Sequence, residues 1–224
     1  MCNHSLYARN ASVERKFRAR ASKGLRLQVF ENPMCTMNLL SALNSHAPHD
    51  AEERAHRDNT IAFVERHPQS WWRRSTLEGH LTSSAWVLNI SRTHALLLHH
   101  AKLDRWLQPG GHLDDTDASP ADGAMREARE ESGLAGLQLA SENIFDVDVH
   151  AIPARGSEPA HLHYDLRYLI ISTGNALALS DESLAARWIA LDELVRTPFE
   201  RSIARMAEKS HHLSTHDHRT REPG

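Results

Sequence analysis

Residues 109–134 constrain this chain more than any other stretch, because a glycine pair opens them, a glycine closes them and carboxylates crowd the space between. Four apolar residues recur there at helical spacing and form one stripe: Ala121, Ala124, Met125 and Ala128. The spacing predicts a helix over residues 121–132. Gly133 favours the helix end, since glycine adopts a left-handed conformation at little cost. Ser119 or Asp122 suits the N-cap.

The predicted helix carries three glutamates on another face, Glu127, Glu130 and Glu131, at positions i, i+3 and i+4. A like-charged i, i+4 pair destabilises a helix by roughly 0.2–0.5 kcal/mol, and Arg126 and Arg129 offset only part of that. The face is either a solvated acidic surface or a site for a hard divalent cation. Mg²⁺ prefers oxygen ligands and usually binds one or two carboxylates together with substrate phosphates. The flanking glycines favour the cation site.

Residues 126–134 match every fixed position of Arg-Glu-apolar-x-Glu-Glu-x-Gly-apolar, the second half of the Nudix box. The first half departs from the family pattern, which places a glutamate five residues after a glycine and seven residues before the arginine. Here Asp117 follows Gly111 at that place, and eight residues separate Asp117 from Arg126. The chain thus resembles the Nudix hydrolase superfamily over roughly residues 80–210, with a shorter acid whose implied role is mainly structural.

Strands are predicted on both sides of the helix, over residues 80–90, 95–100, 143–153, 161–171 and 187–191. In the fourth of these, period two places His161, His163 and Asp165 on one face. That face either meets water or lines a pocket. A Gly-Gly-His box followed by a His-x-His-x-Asp-Leu-Arg strand also resembles a recurrent Nudix subgroup.

The resemblance implies an α+β fold, an α/β/α sandwich in which a mixed, curved sheet carries the box helix. Ahead of it, Asp50 and Glu53 form a capping box for a helix over residues 51–66. Trp71 and Trp72 either pack in the core or stack on a flat group such as a base. The expected division is a disordered or non-native extension at 1–36, a helical extension at 37–79, the Nudix domain at 80–210 and a disordered tail at 211–224.

Residues 1–36 are rich in arginine and poor in acids, so a transit peptide and a nucleic-acid-binding arm are alternatives to a disordered extension. The formal net charge of −3 gives no overall field that favours nucleic acid or an anionic membrane. No apolar run approaches the roughly 20 residues of a spanning helix. Cys2 and Cys35 lack metal-site spacing and fit a reducing compartment, which predicts a cytoplasmic protein. Monomer and homodimer both stay open.

The implied reaction is hydrolysis of a diphosphate bond in a nucleoside diphosphate linked to another group, with Mg²⁺ or Mn²⁺ and a metal-activated water that attacks phosphorus. Glu127, Glu130 and Glu131 would bind metal, Arg126 would orient Glu127 as general base, and Glu131 would also be catalytic. Glu182 precedes Trp188 by six residues and would be a further ligand. The expected contacts to the nucleotide-type substrate are Lys102, Arg105, Gly111, His112, His163 and Asp165.

Two other functions compete with this hypothesis. A catalytically silent Nudix fold would act as a ligand sensor or regulator, but inactive versions usually lose part of the glutamate set, which is intact here. The isoprenoid diphosphate isomerase branch would require a catalytic cysteine inside the domain, and both cysteines lie before it.

Overall fold

A computed structural model describes residues 36–178, 183–196 and 199–217 of the chain. The predicted extension up to residue 35, the predicted metal ligand Glu182 and the last seven residues of the tail lie outside these ranges. Within them, no helix has both the length and the apolar character that crossing a membrane requires.

The described residues form five helices and eight strands. The helices are α1 Thr36–Ser45, α2 Ala51–Arg66, α3 Pro120–Ser132, α4 Leu191–Arg196 and α5 Arg201–Asp217. The strands are β1 Gly79–Asn89, β2 His94–His100, β3 Arg105–Leu107, β4 Gly110–His112, β5 Leu137–Leu139, β6 Asp146–Ile152, β7 His161–Ser172 and β8 Ser183–Ala190.

The eight strands make one mixed sheet in the order β3-β2-β1-β7-β5. Three further pairings extend it, because β4 pairs with β1, β6 with β7 and β8 with β2. The two long central strands β1 and β7 run parallel, and the other pairings are antiparallel. The predicted mixed sheet is therefore confirmed.

Both faces of the sheet are covered by helices. One apolar cluster joins odd-numbered residues of β1, such as Leu81 and Val87, to the alanine stripe of α3 and to Phe63 of α2. The other cluster joins Trp86 and Leu88, which point to the opposite face, to residues of α4 and α5. These two layers confirm the α+β prediction of an α/β/α sandwich, with α1 and α2 as a helical extension at the N-terminal side.

Local sequence signals predicted both ends of the box helix, which is α3, correctly. Ser119 is its N-cap and accepts a hydrogen bond from the Asp122 N–H at 3.2 Å. Gly133 ends it at φ 64°, the left-handed conformation that glycine adopts without a Cβ clash. Asp50 caps α2 by accepting from the Glu53 N–H at 2.8 Å.

The structure corrects the predicted disordered tail, because α5 continues to Asp217 and residues 211–217 are helical. The helix stays attached there since Trp86 Nε1 donates to Ser210 Oγ at 2.9 Å and Leu213 packs against the second apolar cluster. Trp71 is fully buried in the core, and Trp72 donates to Asp115 Oδ1 at 3.1 Å. This tryptophan pair is therefore part of the packing.

Candidate active site

Asp117 and Arg126 join the loop that precedes the box helix to the helix itself. Arg126 Nε donates to Asp117 Oδ1 and Arg126 Nη2 donates to Asp117 Oδ2, both at 3.0 Å. The Asp114 N–H donates to the same carboxylate at 2.8 Å, and the Asp117 side chain is only 5% exposed. A two-pronged, charge-assisted contact of this kind fixes the guanidinium plane. The shorter acid and its longer loop therefore still give the arginine a buried structural partner.

Arg126 also reaches the predicted metal ligands. Its Nη1 donates to Glu127 Oε1 at 2.8 Å and to Glu130 Oε2 at 3.2 Å, while Nη2 donates to the His112 carbonyl at 3.0 Å. The hydrogen bonds that Arg126 donates to Asp117, and after them the one that it donates to Glu127, raise the pKa of Arg126 above its usual value, so the guanidinium stays charged. Arg126 thus joins the loop, the helix and the glycine segment.

Glu127 lies packed against the backbone of Gly111. A Cβ built on Gly111 would stand 2.7 Å from Glu127 Oε1, so only glycine allows this approach. Burial raises the pKa of Glu127 above its ordinary value, although the hydrogen bond from Arg126 opposes the shift. A carboxylate with a raised pKa inside a cleft is placed to accept a proton.

A cleft of about 590 Å³ opens along this side of the box helix. Its lining includes the arginine and the three glutamates of the box together with the glycine segment: Gly110, Gly111, His112, Arg126, Glu127, Glu130 and Glu131. Glu131 Oε2 accepts from the Gly110 N–H at 3.0 Å, and the Glu130 side chain is 60% exposed. The donors are carboxylate oxygens beside a glycine that leaves them room, which fits the hard cations Mg²⁺ and Mn²⁺.

A second cavity of about 640 Å³ adjoins this cleft and shares Gly110, Gly111, His112 and Glu131 with it. Its size lies within the range of roughly 300–1,000 Å³ that is usual for small-molecule sites. The structure brings the remaining predicted substrate residues to its walls: Lys102, Arg105, His163 and Asp165. The polar face of β7 therefore borders a cavity.

Two of the predicted substrate residues already have strong protein partners. Asp165 is buried and accepts from Thr82 Oγ1 at 2.9 Å, from Ser84 Oγ at 2.8 Å and from Arg167 Nε at 2.8 Å. Arg105 Nη1 donates to Glu200 Oε1 at 2.8 Å at the exposed rim. Direct contact of either group with substrate stays a prediction, and the geometry gives Asp165 a role in shaping the cavity wall.

Sequence reasoning missed one residue of this region, His80, which was assigned only to a strand. In the described ranges, His80, His112 and His163 are the one group of three or more His, Cys, Asp or Glu side chains that brings its ligand atoms within 4.8 Å of one another. Burial, and then repulsion from neighbouring histidines and Arg74, lowers the pKa of His80 and of His112 to about 4. Burial, and then repulsion from neighbouring histidines, lowers the pKa of His163 to about 2. All three imidazoles are therefore neutral near pH 7.

The box helix therefore presents three carboxylates and an anchored arginine to a cleft beside the mixed sheet. Residues 80–209 match the family described as the NUDIX domain, so the chain belongs to the Nudix family. As a class it is a Nudix pyrophosphohydrolase. No curated protein sequence matches it significantly.

The solved structures to which the chain is similar are distant from it in sequence. An Ap4A hydrolase binary complex from C. elegans is 17% identical and aligns over 61% of this chain and 98% of its own, with a TM-score of 0.49. A NUDIX-family hydrolase from Clostridium perfringens is 22% identical over 60% and 97%, with a TM-score of 0.45. The NUDIX domain of Shewanella oneidensis NrtR in complex with ADP ribose is 14% identical over 67% and 97%, with a TM-score of 0.47.

Proposed function

We propose that this protein hydrolyses a diphosphate linkage in a small nucleoside diphosphate joined to another group, and that it requires Mg²⁺ or Mn²⁺. The observation that carries the proposal is the arrangement around Arg126, which joins Asp117, Glu127 and Glu130 beside the Gly110–His112 strand. The adjoining cavity has the size for the rest of a nucleotide-type substrate.

Glu127, Glu130 and Glu131 would hold the cation, which when bound offsets the negative charge of the substrate phosphates. In the reaction a water oxygen bonds to phosphorus, the bridging P–O bond breaks, and the water gives up a proton. Glu127 takes that proton, since burial raises its pKa and Arg126 fixes its orientation. Asp117 acts through Arg126 and positions it.

The test is release of nucleotide or phosphate from a panel of candidate substrates with Mg²⁺ or Mn²⁺. The panel contains nucleoside triphosphates, nucleotide sugars, ADP-ribose, dinucleoside polyphosphates and CDP-alcohols. Glu127→Gln keeps the shape of the side chain but cannot accept the proton, so we expect a kcat loss of about 10²–10⁴-fold. Glu131→Gln should lose activity as well. Glu65→Gln, on the exposed face of α2, is the matched control and should retain wild-type turnover.

Two results would contradict the proposal. Equal turnover by wild type and both box variants would place the activity elsewhere or in a contaminant. Absence of turnover with every compound, while the folded protein binds Mn²⁺ in a spectroscopic titration, would favour the ligand sensor instead.

A further inference from the structure

Three strands of the sheet bring three imidazoles together beside the box. His80 lies on β1, His112 ends β4 and His163 lies on β7. The parallel register places His80 opposite His163, and β4 pairs with β1 so that His112 lies opposite Thr82. The ring centroids are 4.9 Å apart for His80 and His112, 4.8 Å for His80 and His163, and 5.1 Å for His112 and His163.

Three buried ring nitrogens of His80 and His112 have no hydrogen-bond partner in the part of the chain that the structure describes. His80 is 1% exposed, and neither of its ring nitrogens has a hydrogen-bond partner among the described residues. The buried His112 Nε2 also has none there. Buried polar atoms in native proteins are almost always paired, so an exception calls for an explanation such as an ion or ordered water.

The donor set identifies the class of ion. The three ligands are all imidazole nitrogens. Arg74 and Glu158, which both act electrostatically on His112, form an ion pair with each other at 3.7 Å in the flanking loops. Imidazole suits Zn²⁺, Co²⁺ and Ni²⁺, whereas Mg²⁺ and Ca²⁺ require oxygen ligands. Three protein ligands with one remaining position is the pattern of open zinc sites. This site is therefore chemically distinct from the carboxylates of the box helix.

A fourth histidine orients one of the three. His161 Nδ1 lies 2.9 Å from the Pro159 carbonyl, which can only accept, so Nδ1 carries the hydrogen. In neutral His161 the Nε2 atom then accepts from His163 Nε2 at 3.2 Å. This series of hydrogen bonds leaves the free lone pair of the His163 ring on Nδ1. Metal-binding histidines typically have the other ring nitrogen fixed by such an outer partner.

We propose that His80, His112 and His163 form a binding site for a divalent transition metal, with Zn²⁺ as its expected occupant, in the cavity wall beside the box. His112 and His163 line that cavity, so the remaining coordination position is open to water or to an oxygen atom of a bound phosphate. The site binds metal whether or not the box carries out the hydrolysis proposed above.

The experiment is a titration of chelator-treated full-length protein with Co²⁺, followed through its visible d–d absorption, and then displacement by Zn²⁺. We expect the intense absorption of four-coordinate Co²⁺ to saturate at one equivalent in the wild type, since Co²⁺ bound by the oxygen ligands of the box absorbs only weakly. Loss of an outer partner typically weakens metal binding 10–100-fold, so loss of a direct ligand in His163→Ala or His112→Asn should weaken it more than about 100-fold. His94→Ala, on β2 and outside the triad, is the control and should bind as the wild type does. Glu131→Gln should also leave the Co²⁺ spectrum unchanged, which separates this site from the box.

His112 is only half-buried, so His112→Asn is the variant expected to stay folded, and far-UV circular dichroism of the metal-free protein checks this. A zinc-dependent rise in Tm, present in the wild type and absent in His112→Asn, is a second expected result. The proposal is overturned if the wild type shows no saturable binding of Co²⁺ or Zn²⁺. Equal binding by wild type and the triad variants, or loss of binding in Glu131→Gln alone, would also overturn it.

Discussion

Glu127 combines a raised pKa with a fixed orientation, and this combination has a consequence for the dependence of activity on pH. Burial favours its protonated form, while the proposed reaction requires the carboxylate. Activity should therefore fall once the pH is low enough to protonate Glu127, and a bound cation moves this fall to lower pH because it favours the carboxylate. We expect log kcat/KM at saturating Mg²⁺ to rise with pH and then reach a plateau.

Substrate phosphates titrate in mildly acidic solution too, so the profile needs a matched comparison. Glu65→Gln uses the same substrate and should show the same rise of log kcat/KM with pH as the wild type. Glu127→Gln should lose this pH-dependent rise along with most of the activity. A wild-type profile that stays flat from acidic to alkaline pH would show that no titrating base takes part.

Individual residues also mark how far the sequence could predict the site. The spacing of Glu127, Glu130 and Glu131 was sufficient to place them on one face of a helix. The bidentate contact of Asp117 with Arg126 depends on how the loop folds back, which counting residues cannot show. His80 was missed because its partner His163 lies 83 positions later in the chain, and only the register of β1 with β7 pairs them.

The strand β4 matters to the site through its close approach to the box helix. In Gly111→Ala the new Cβ would displace the Glu127 carboxylate, which lies 2.7 Å from that position. Misplacement of a reacting group by about 1 Å can cost on the order of 10²-fold in rate, so we expect a kcat loss of that size. Fold and Tm should change little, because the side chain can rotate away. Steady-state kinetics and thermal unfolding of the same preparation measure both effects.

The comparison for this variant is Gly156→Ala, at a loop glycine with φ 59° and nothing within 4 Å of an added Cβ. A left-handed alanine should lower stability by roughly 1–2 kcal/mol and leave kcat unchanged. Gly111→Ala with wild-type kcat would mean that the position of Glu127 against β4 is unimportant for the reaction.

Elements with long periodic patterns were predictable, and short ones were not. The helix α2 and the strands β1, β2 and β7 begin and end within two residues of their predicted bounds. The strands β3, β4 and β5 have three residues each, which is too short for a period-two pattern to be recognised in the sequence. They form because each pairs with a longer strand beside it. Likewise α5 extends to Asp217 through contacts with the core that are remote in sequence.

The molecule as a whole is held together on one side by a buried ionic network. Arg205 of α5 is fully buried and donates from Nε to Asp146 Oδ1 at 2.8 Å and from Nη2 to Asp146 Oδ2 at 2.9 Å. Arg167 of β7 lies against the same carboxylate at 3.2 Å. Arg205 also reaches Glu52 of α2 at 3.3 Å. The network thus joins two helices to two strands, and its pairs are too far apart in the chain to be predicted from local pattern.

Arg205→Met should therefore unfold more easily than the wild type, because Asp146 stays buried with fewer compensating charges. Breaking a buried pair on one side typically costs about 3–5 kcal/mol, and we expect the lower end since Arg167 and Lys209 remain within 3.3 Å of Asp146. Arg201→Met removes two solvent-accessible ion pairs, with Asp50 and with Glu208, so it should cost no more than about 1 kcal/mol. Urea unfolding gives both free energies. Equal midpoints and slopes for the two variants would mean that the network contributes no more than a surface pair, and that packing of α5 against Trp86 alone holds this helix on the sheet.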